Sequence, residues 1–178
     1  MRHSRFALCP GAAASSKGTR LLSVMEVILA LRSTPLFQKV PGEGLKRLSD
    51  FIQEKAVLAG EVVFREEDFG DEMYLVRSGQ VSIHQELGEG PALIEMVEPG
   101  GYFGEMAIID DLPRTATATA DVDTNLLVLH KNDFRTAVQD YPDIAFEIFR
   151  EFTRRLRRSD RRYRELLLEA RRLGLEAR

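Results

Sequence analysis

The segment MYLVRSGQVSI, residues 73–83, holds two short apolar runs on either side of the turn at Ser78-Gly79-Gln80. Runs this short, dense in Val and Ile and punctuated by glycine, read as strands. The same texture extends outward from Ala56 to His130, through AVLAGEVVF (56–64), ALIEMVEPGG (92–101), TATATADV (115–122) and NLLVLH (125–130). Gly60, Gly70, Gly79, Gly88, Gly90, Gly100 and Gly101 fall at turn-like intervals. Several short strands at such spacing predict a sandwich or closed roll, and closure also disposes of exposed strand edges.

The flanks change period. A helical pattern runs from Met25 to about Arg32, and a second short helix follows Pro41, with Leu45, Leu48 and Phe51/Ile52 at helical spacing. After His130 the chain is helical again. Asn132 is the expected N-cap of one helix, with Asp133 in its first turn, and Pro142-Asp143 opens a second, long one. On that helix Phe149, Phe152, Leu156, Ser159, Tyr163, Leu166, Ala170 and Leu173 follow one another in alternating steps of three and four. This is a heptad seam in which only Ser159 is polar, while the arginines occupy the other faces. Such a helix packs on its own domain or forms a two-stranded parallel coiled coil. The second reading accounts for a seam that outreaches a domain of this size, and it predicts a homodimer through the C-terminal helix.

Composition narrows the class. The 178 residues, 44% hydrophobic and 30% charged, suit one soluble domain with appendages. No stretch approaches the roughly 18 apolar residues of a membrane span. Cys9 is the single cysteine, which excludes an intramolecular disulfide framework and a four-cysteine zinc site and suits a reducing, cytoplasmic compartment. The net charge of −3 is unevenly spread: residues 1–20 carry four cations and no acid, residues 150–178 carry eleven arginines against five acids, and the acidic body lies between. An acidic body repels phosphate backbones and makes a poor general surface for nucleic acid. Residues 1–24 read as a disordered tail or a mis-assigned start ahead of Met25, because the apolar centre Phe6 to Cys9 is too short for a secretion signal. The expected organisation is therefore a tail over 1–24, a β-roll with flanking helices over 25–140, and a long basic helix over 141–178.

The chemistry concentrates in YFGEMAIIDDLPRTATATA, residues 102–120. A short apolar helical stretch, Glu105 to Ile109, interrupts the strands there. Gly104 permits close backbone approach, and the amides that follow it open a helical turn without internal partners. Arg114 comes nine residues after Glu105, with Pro113 before it and hydroxyls at Thr115 and Thr117. An arginine facing such amides offers a charged clamp for one phosphate. Glu105 would repel a phosphate but could accept hydrogen bonds from a sugar hydroxyl beside it. The bland alternative is a structural ion pair between Glu105 and Arg114 at one end of the roll.

F-G-E-x-A (103–107) followed by P-R-x-A-T (113–117) resembles the phosphate-binding cassette of the cyclic-nucleotide-binding domain family, which includes catabolite activator proteins and protein kinase A regulatory subunits. The likeness extends through P-L-F (35–37), A-G-E-V (59–62), F-G-D (69–71) and S-G-Q-V (78–81), whereas Glu67 stands where the family often has glycine in an E-G-D turn. The resemblance implies an α+β fold: an eight-stranded antiparallel, jelly-roll-like β-roll flanked by N-terminal helices and a long C-terminal helix. It implies that Glu105 binds the ribose 2′-hydroxyl, that Arg114 binds the phosphate, and that amides near Gly104 and Ala107 cradle it. The candidate ligand site is thus Phe103, Gly104, Glu105, Met106, Ala107, Pro113, Arg114, Thr115 and Ala116. The ligand is cAMP or cGMP: cAMP is placed first, although Thr115 stands where cGMP binders of the family often carry threonine. The base-capping residue has no motif, and Tyr163 and Leu156 are the candidates on the last helix.

Other chemistry finds little support. His84 and His130 belong to no cluster with metal-ligand spacing, and no nucleophile–base set emerges, so neither catalysis nor a metal or cofactor is expected. The arginine-rich helix reads as a solvated coiled-coil exterior, with an acidic partner or anionic membrane surface as the alternative. Too few residues follow Leu173 for a helix-turn-helix module, so sequence-specific DNA binding is not expected. The predicted protein is a non-catalytic cyclic-nucleotide sensor acting on an unidentified effector, the alternative being a ligand-free scaffold that dimerises through its C-terminal helix.

Overall fold

A computed structural model describes residues 22–88 and 90–174. Most of the expected tail, residues 1–21, lies outside the described residues, as do Glu89 and residues 175–178. The described part of the chain opens with α1 (Val24–Ser33), where Ser23 and Glu26 form a reciprocal capping box, and α2 (Gly42–Ser49). Eight strands follow: β1 (Gln53–Val57), β2 (Val62–Phe64), β3 (Glu72–Ser78), β4 (Val81–Glu86), β5 (Pro91–Val97), β6 (Tyr102–Phe103), β7 (Thr117–Ala120) and β8 (Thr124–His130). The short α3 (Met106–Ile109) interrupts them after β6, and α4 (Lys131–Asp140) and α5 (Asp143–Arg172) complete the described chain.

The strands form two four-stranded antiparallel sheets, ordered β1-β8-β3-β6 and β2-β7-β4-β5. This is the closed roll that the strand spacing predicted, with the eight strands that the family resemblance implied. In the first sheet the side chains alternate between two apolar layers, so β3 and β8 read as unbroken apolar runs rather than as alternating ones. Met73, Leu75, Leu127 and Leu129 pack under the helices with Leu31, Phe37, Leu45, Leu48 and Ile144. Tyr74, Val76, Leu126 and Val128 point into the roll, against Val81, Phe103, Ala118 and Ala120 of the second sheet. In β7 the alternating Thr/Ala pattern puts the two alanines inward and fully buried.

α4 begins at Lys131, with His130 and not Asn132 at the N-cap position, because β8 runs straight into the helix and the Lys131 amide is anchored on the Asp71 carbonyl at 2.7 Å. The corner between α4 and α5 falls at Tyr141-Pro142, and Arg47 of α2 braces it through Asp140 at 2.7 Å.

α5 carries two stripes. Ile144, Ile148 and Glu151 are buried on the helix's own domain. Most of the heptad seam lies on a neighbouring face and is open, with Phe149, Leu156, Tyr163, Leu166 and Leu173 all more than half exposed, while Phe152 is half-buried against the core. At about 1.5 Å per residue the 30-residue helix is roughly 45 Å long. Its distal half has no buried residue among the described ones.

Candidate functional site

β6 pairs with β3 for only two residues, Phe103 with Tyr74 and Tyr102 with Leu75. Gly104 then turns the chain with φ +73°, in the left-handed region that suits glycine. A Cβ here would lie 2.7 Å from Nη1 of Arg114 and 3.3 Å from the Phe64 ring. Gly70 does the same on the other side, where a Cβ would meet Nη2 of Arg114 at 2.7 Å. The F-G-E and F-G-D turns thus leave a slot for one guanidinium.

Arg114 fills that slot and is 5% exposed. Nη1 donates to the Gly104 carbonyl at 3.0 Å and Nη2 to the Glu72 carbonyl at 2.8 Å. Its guanidinium carbon lies 4.1 Å from the centroid of the Phe64 ring, which packs with Tyr74 and Phe103 into an aromatic floor. The loop between β2 and β3 clasps its backbone, since Arg114 N–H donates to Asp68 O and Glu67 N–H to Arg114 O. Glu67 pays for this with φ +66°, a left-handed conformation in a residue that carries a Cβ.

A guanidinium has five N–H donors. Two bonds engage carbonyls here, and the buried Nε has no partner. Among the described residues no carboxylate lies within ion-pairing distance of Arg114. Burial pushes its pKa down from the ordinary arginine value, against the pull of Tyr74, Glu72 and other nearby groups. Tyr74 donates its hydroxyl to the Glu72 carboxylate, and burial together with that bond raises the phenol well above its usual range, keeping it neutral.

Glu105 is equally buried, at 6% exposure, but its partner is not Arg114. Arg155 of α5 reaches it, with Nη1 at 2.5 Å from Oε1, while Nη2 of the same side chain lies 3.3 Å from Glu95 of β5. Burial raises the carboxyl pKa of Glu105, and the charge of Arg155 works against that shift. The two charged residues of the cassette therefore do not form the structural ion pair that was the bland alternative. Each faces the site with a separate environment.

All nine residues singled out in the sequence line one cavity of about 180 Å³. Thr115 is exposed at its edge, and the hydroxyl of Thr117 is committed elsewhere, accepting from the Glu66 amide at 3.0 Å. The cavity abuts a wider groove of about 420 Å³ between β5 and α5, with Glu95, Tyr102 and Arg155 lining both. Among the described residues no group of three or more His, Cys, Asp or Glu side chains is placed to hold a metal ion.

A buried arginine, a buried glutamate and a glycine turn now stand around one cavity in an eight-stranded roll. The cyclic nucleotide-binding domain family matches residues 54–141. The chain is 32% identical to the N-terminal domain of a transcriptional regulator from Streptomyces coelicolor, covering 75% of this chain and 94% of that one with a TM-score of 0.66. It is 31% identical to a cyclic nucleotide-binding-like protein from Brucella abortus, covering 64% of this chain and 98% of that one, with a TM-score of 0.57. This chain belongs to the cyclic nucleotide-binding domain family. It is also 31% identical over 131 residues to the cyclic AMP receptor protein of Thermus thermophilus, which covers 73% of this chain and 61% of that protein. The chain spans less than two thirds of the length of the curated relatives it matches: 61% and 63% of two bacterial regulators, and 32% of a bacterial cyclic nucleotide-gated potassium channel.

Within this cyclic nucleotide-binding domain, sequence reasoning passed over the aromatic floor and Arg155. Phe64 and Tyr74 looked like ordinary strand core, which they also are. Arg155 was one of eleven arginines on a face read as solvated, and Leu156 and Tyr163, the candidates for reaching the ligand, do not line the cavity. A usable signal was present: Ile144, Ile148, Glu151 and Arg155 are spaced by four, three and four, a second helical stripe beside the heptad seam.

Proposed function

We propose that this chain is a non-catalytic sensor that binds a cyclic nucleotide in the cavity between Arg114 and Glu105 and reports it through α5. One observation carries this reading: a guanidinium buried on an aromatic floor, with unused donors and no carboxylate counter-ion among the described residues. A cyclised phosphodiester supplies one negative charge and two acceptor oxygens to such a group. Amides near Gly104 and Ala107 would complete the cradle. The carboxylate of Glu105 would accept the ribose 2′-hydroxyl, which must then share it with Arg155, so occupancy bears directly on α5. A ligand shifts α5 only as far as it binds one arrangement better than the other.

cAMP is proposed ahead of cGMP. The relatives support it, among them a cyclic AMP receptor protein and a regulatory domain of Toxoplasma gondii protein kinase A crystallised with cAMP. Thr115 at the cavity edge offers a hydroxyl to a guanine amino group and speaks for cGMP. We further propose a homodimer through the open heptad seam, a cytoplasmic setting and an effector that is a separate protein. No DNA-reading element and no catalytic step form part of the proposal. Among the described residues no helix is long and apolar enough to cross a membrane.

The Glu105–Arg155 pair favours a second reading, in which the chain itself satisfies the sugar acceptor and the roll serves as a ligand-free scaffold. Titration calorimetry with cAMP and cGMP separates the two. The sensor binds at least one, and both Arg114→Ala and Glu105→Ala weaken it. The scaffold gives no heat and no shift in Tm with either nucleotide.

A further inference from the structure

Lys131, at the first turn of α4, is 7% exposed and lines no part of the cavity. An ammonium group has three N–H donors, and here all three are engaged. Nζ donates to the Ala107 carbonyl at 3.2 Å, the Asp110 carbonyl at 2.6 Å and Oδ1 of Asp111 at 2.5 Å. Two of these acceptors are carbonyls at the C-terminal end of α3, which an α-helix leaves without internal partners. α3 is a single turn of four residues, closed by the Asp110 amide on the Met106 carbonyl at 2.9 Å. One turn cannot hold its own shape in water, since nucleating it costs more than its bond returns.

The other end of that turn is Gly104-Glu105, the wall of the cavity that faces Arg114. The backbone of Lys131 is fixed independently, because its amide donates to the Asp71 carbonyl at 2.7 Å. Asp71 is next to Glu72, whose carbonyl receives Nη2 of Arg114. Lys131 thus ties the far end of the cassette turn to the same short segment that holds the arginine. The charge of Lys131 and its hydrogen bond hold the exposed Asp111 carboxyl below the usual carboxylate range.

We propose that Lys131 is a positioning residue for the ligand site: by capping α3 from α4 it keeps the Glu105 carboxylate and the Arg114 guanidinium at the separation that one ligand must span. This rests on the cyclic-nucleotide reading above and adds to it a residue outside the cassette. An uncapped turn should therefore weaken binding by about tenfold or more, which is about 1.4 kcal/mol or more.

The test uses the full chain with Lys131→Met, which keeps length and burial but removes the donors, and Lys131→Arg. Two measurements are made: calorimetric affinity for cAMP and cGMP, and backbone amide hydrogen exchange without nucleotide. The expected result for Lys131→Met is an affinity loss of about tenfold or more, with faster exchange confined to residues 105–110 while β3 and β8 keep their protection. Lys131→Arg should fall between it and the parent chain. Parent-like affinity in Lys131→Met overturns the proposal, and so does faster exchange spread evenly through β3 and β8, which marks a merely structural lysine. If the parent chain binds neither nucleotide, the ligand reading fails, and the exchange experiment alone decides whether Lys131 orders the turn. If Lys131→Met does not fold, Lys131→Arg decides: it should bind about threefold more weakly, with the same local exchange, and parent values on both counts refute the role.

Discussion

Replacing Arg114 with leucine should separate binding from folding. In the ligand-free chain the substitution removes a cation that is only 5% exposed and, among the described residues, has no carboxylate partner. Desolvating such a charge costs several kcal/mol, which leucine escapes. Against that gain, the carbonyls of Gly104 and Glu72 lose their donors, at about 1–3 kcal/mol each. Leucine also packs on the floor made by Phe64, Tyr74 and Phe103. The opposing effects nearly cancel, so the stability of the ligand-free chain should move by no more than about 2 kcal/mol in either direction. Binding has no such compensation. Two charge-assisted bonds to a phosphate are worth about 3–6 kcal/mol together, so affinity should fall by about 10²-fold to 10⁴-fold. Urea unfolding of the ligand-free variant and calorimetry with cAMP measure the two quantities. An affinity loss smaller than about tenfold, or a stability loss that accounts for the binding loss, would refute the assignment of Arg114 to the phosphate.

Glu67→Gly relieves a φ of +66° and should raise stability by about 0.5–1 kcal/mol, seen as a higher urea midpoint at unchanged slope; an unchanged or lower midpoint counts against the strain. Burial raises the Glu105 pKa, so the folded chain keeps that proton to higher pH than the unfolded chain; the stability it contributes is complete below the ordinary carboxylate value and is lost as pH rises through the raised one. Glu105→Gln should therefore flatten the stability profile across that window, and parallel profiles would contradict the shift. Leu156 and Leu166 are 64% and 56% exposed on the seam, so the double change to glutamate should leave the roll folded and convert a dimer to a monomer by analytical ultracentrifugation; a parent chain that sediments as a monomer at every concentration disposes of the dimer.

The strands and the cassette were legible because their signals are local. Short β-branched runs between glycines, Gly104 before an apolar turn, and Arg114 after Pro113 each declare themselves within a few residues. What stayed hidden depends on contacts across long separations. The Arg155–Glu105 pair joins residues 50 apart, and the stripe of Ile144, Ile148 and Glu151 puts Arg155 on the domain-facing side of α5 without naming its partner on the roll. Lys131 lies 24 residues beyond the Ala107 carbonyl that it caps, and from the sequence it was simply the residue before an expected N-cap at Asn132. The direct Glu105–Arg114 contact was a fair alternative at the level of charge, and only the folded backbone, which hands Arg114 to two carbonyls, removes it.

Arg155 and Leu156 are consecutive, yet one touches the buried carboxylate and the other stands on the open ridge of α5. On a helix with 3.6 residues per turn they project about 100° apart. In the sensor proposed above the helix would therefore work as a crankshaft, with the cavity gripping one throw and a second copy of the chain the next. No relay through the roll is required, since a small turn about the helix axis moves both at once. Under that proposal the leverage would be mutual: whatever seizes the ridge would set how firmly the cavity retains an anion, by the same factor with which the anion steadies the ridge.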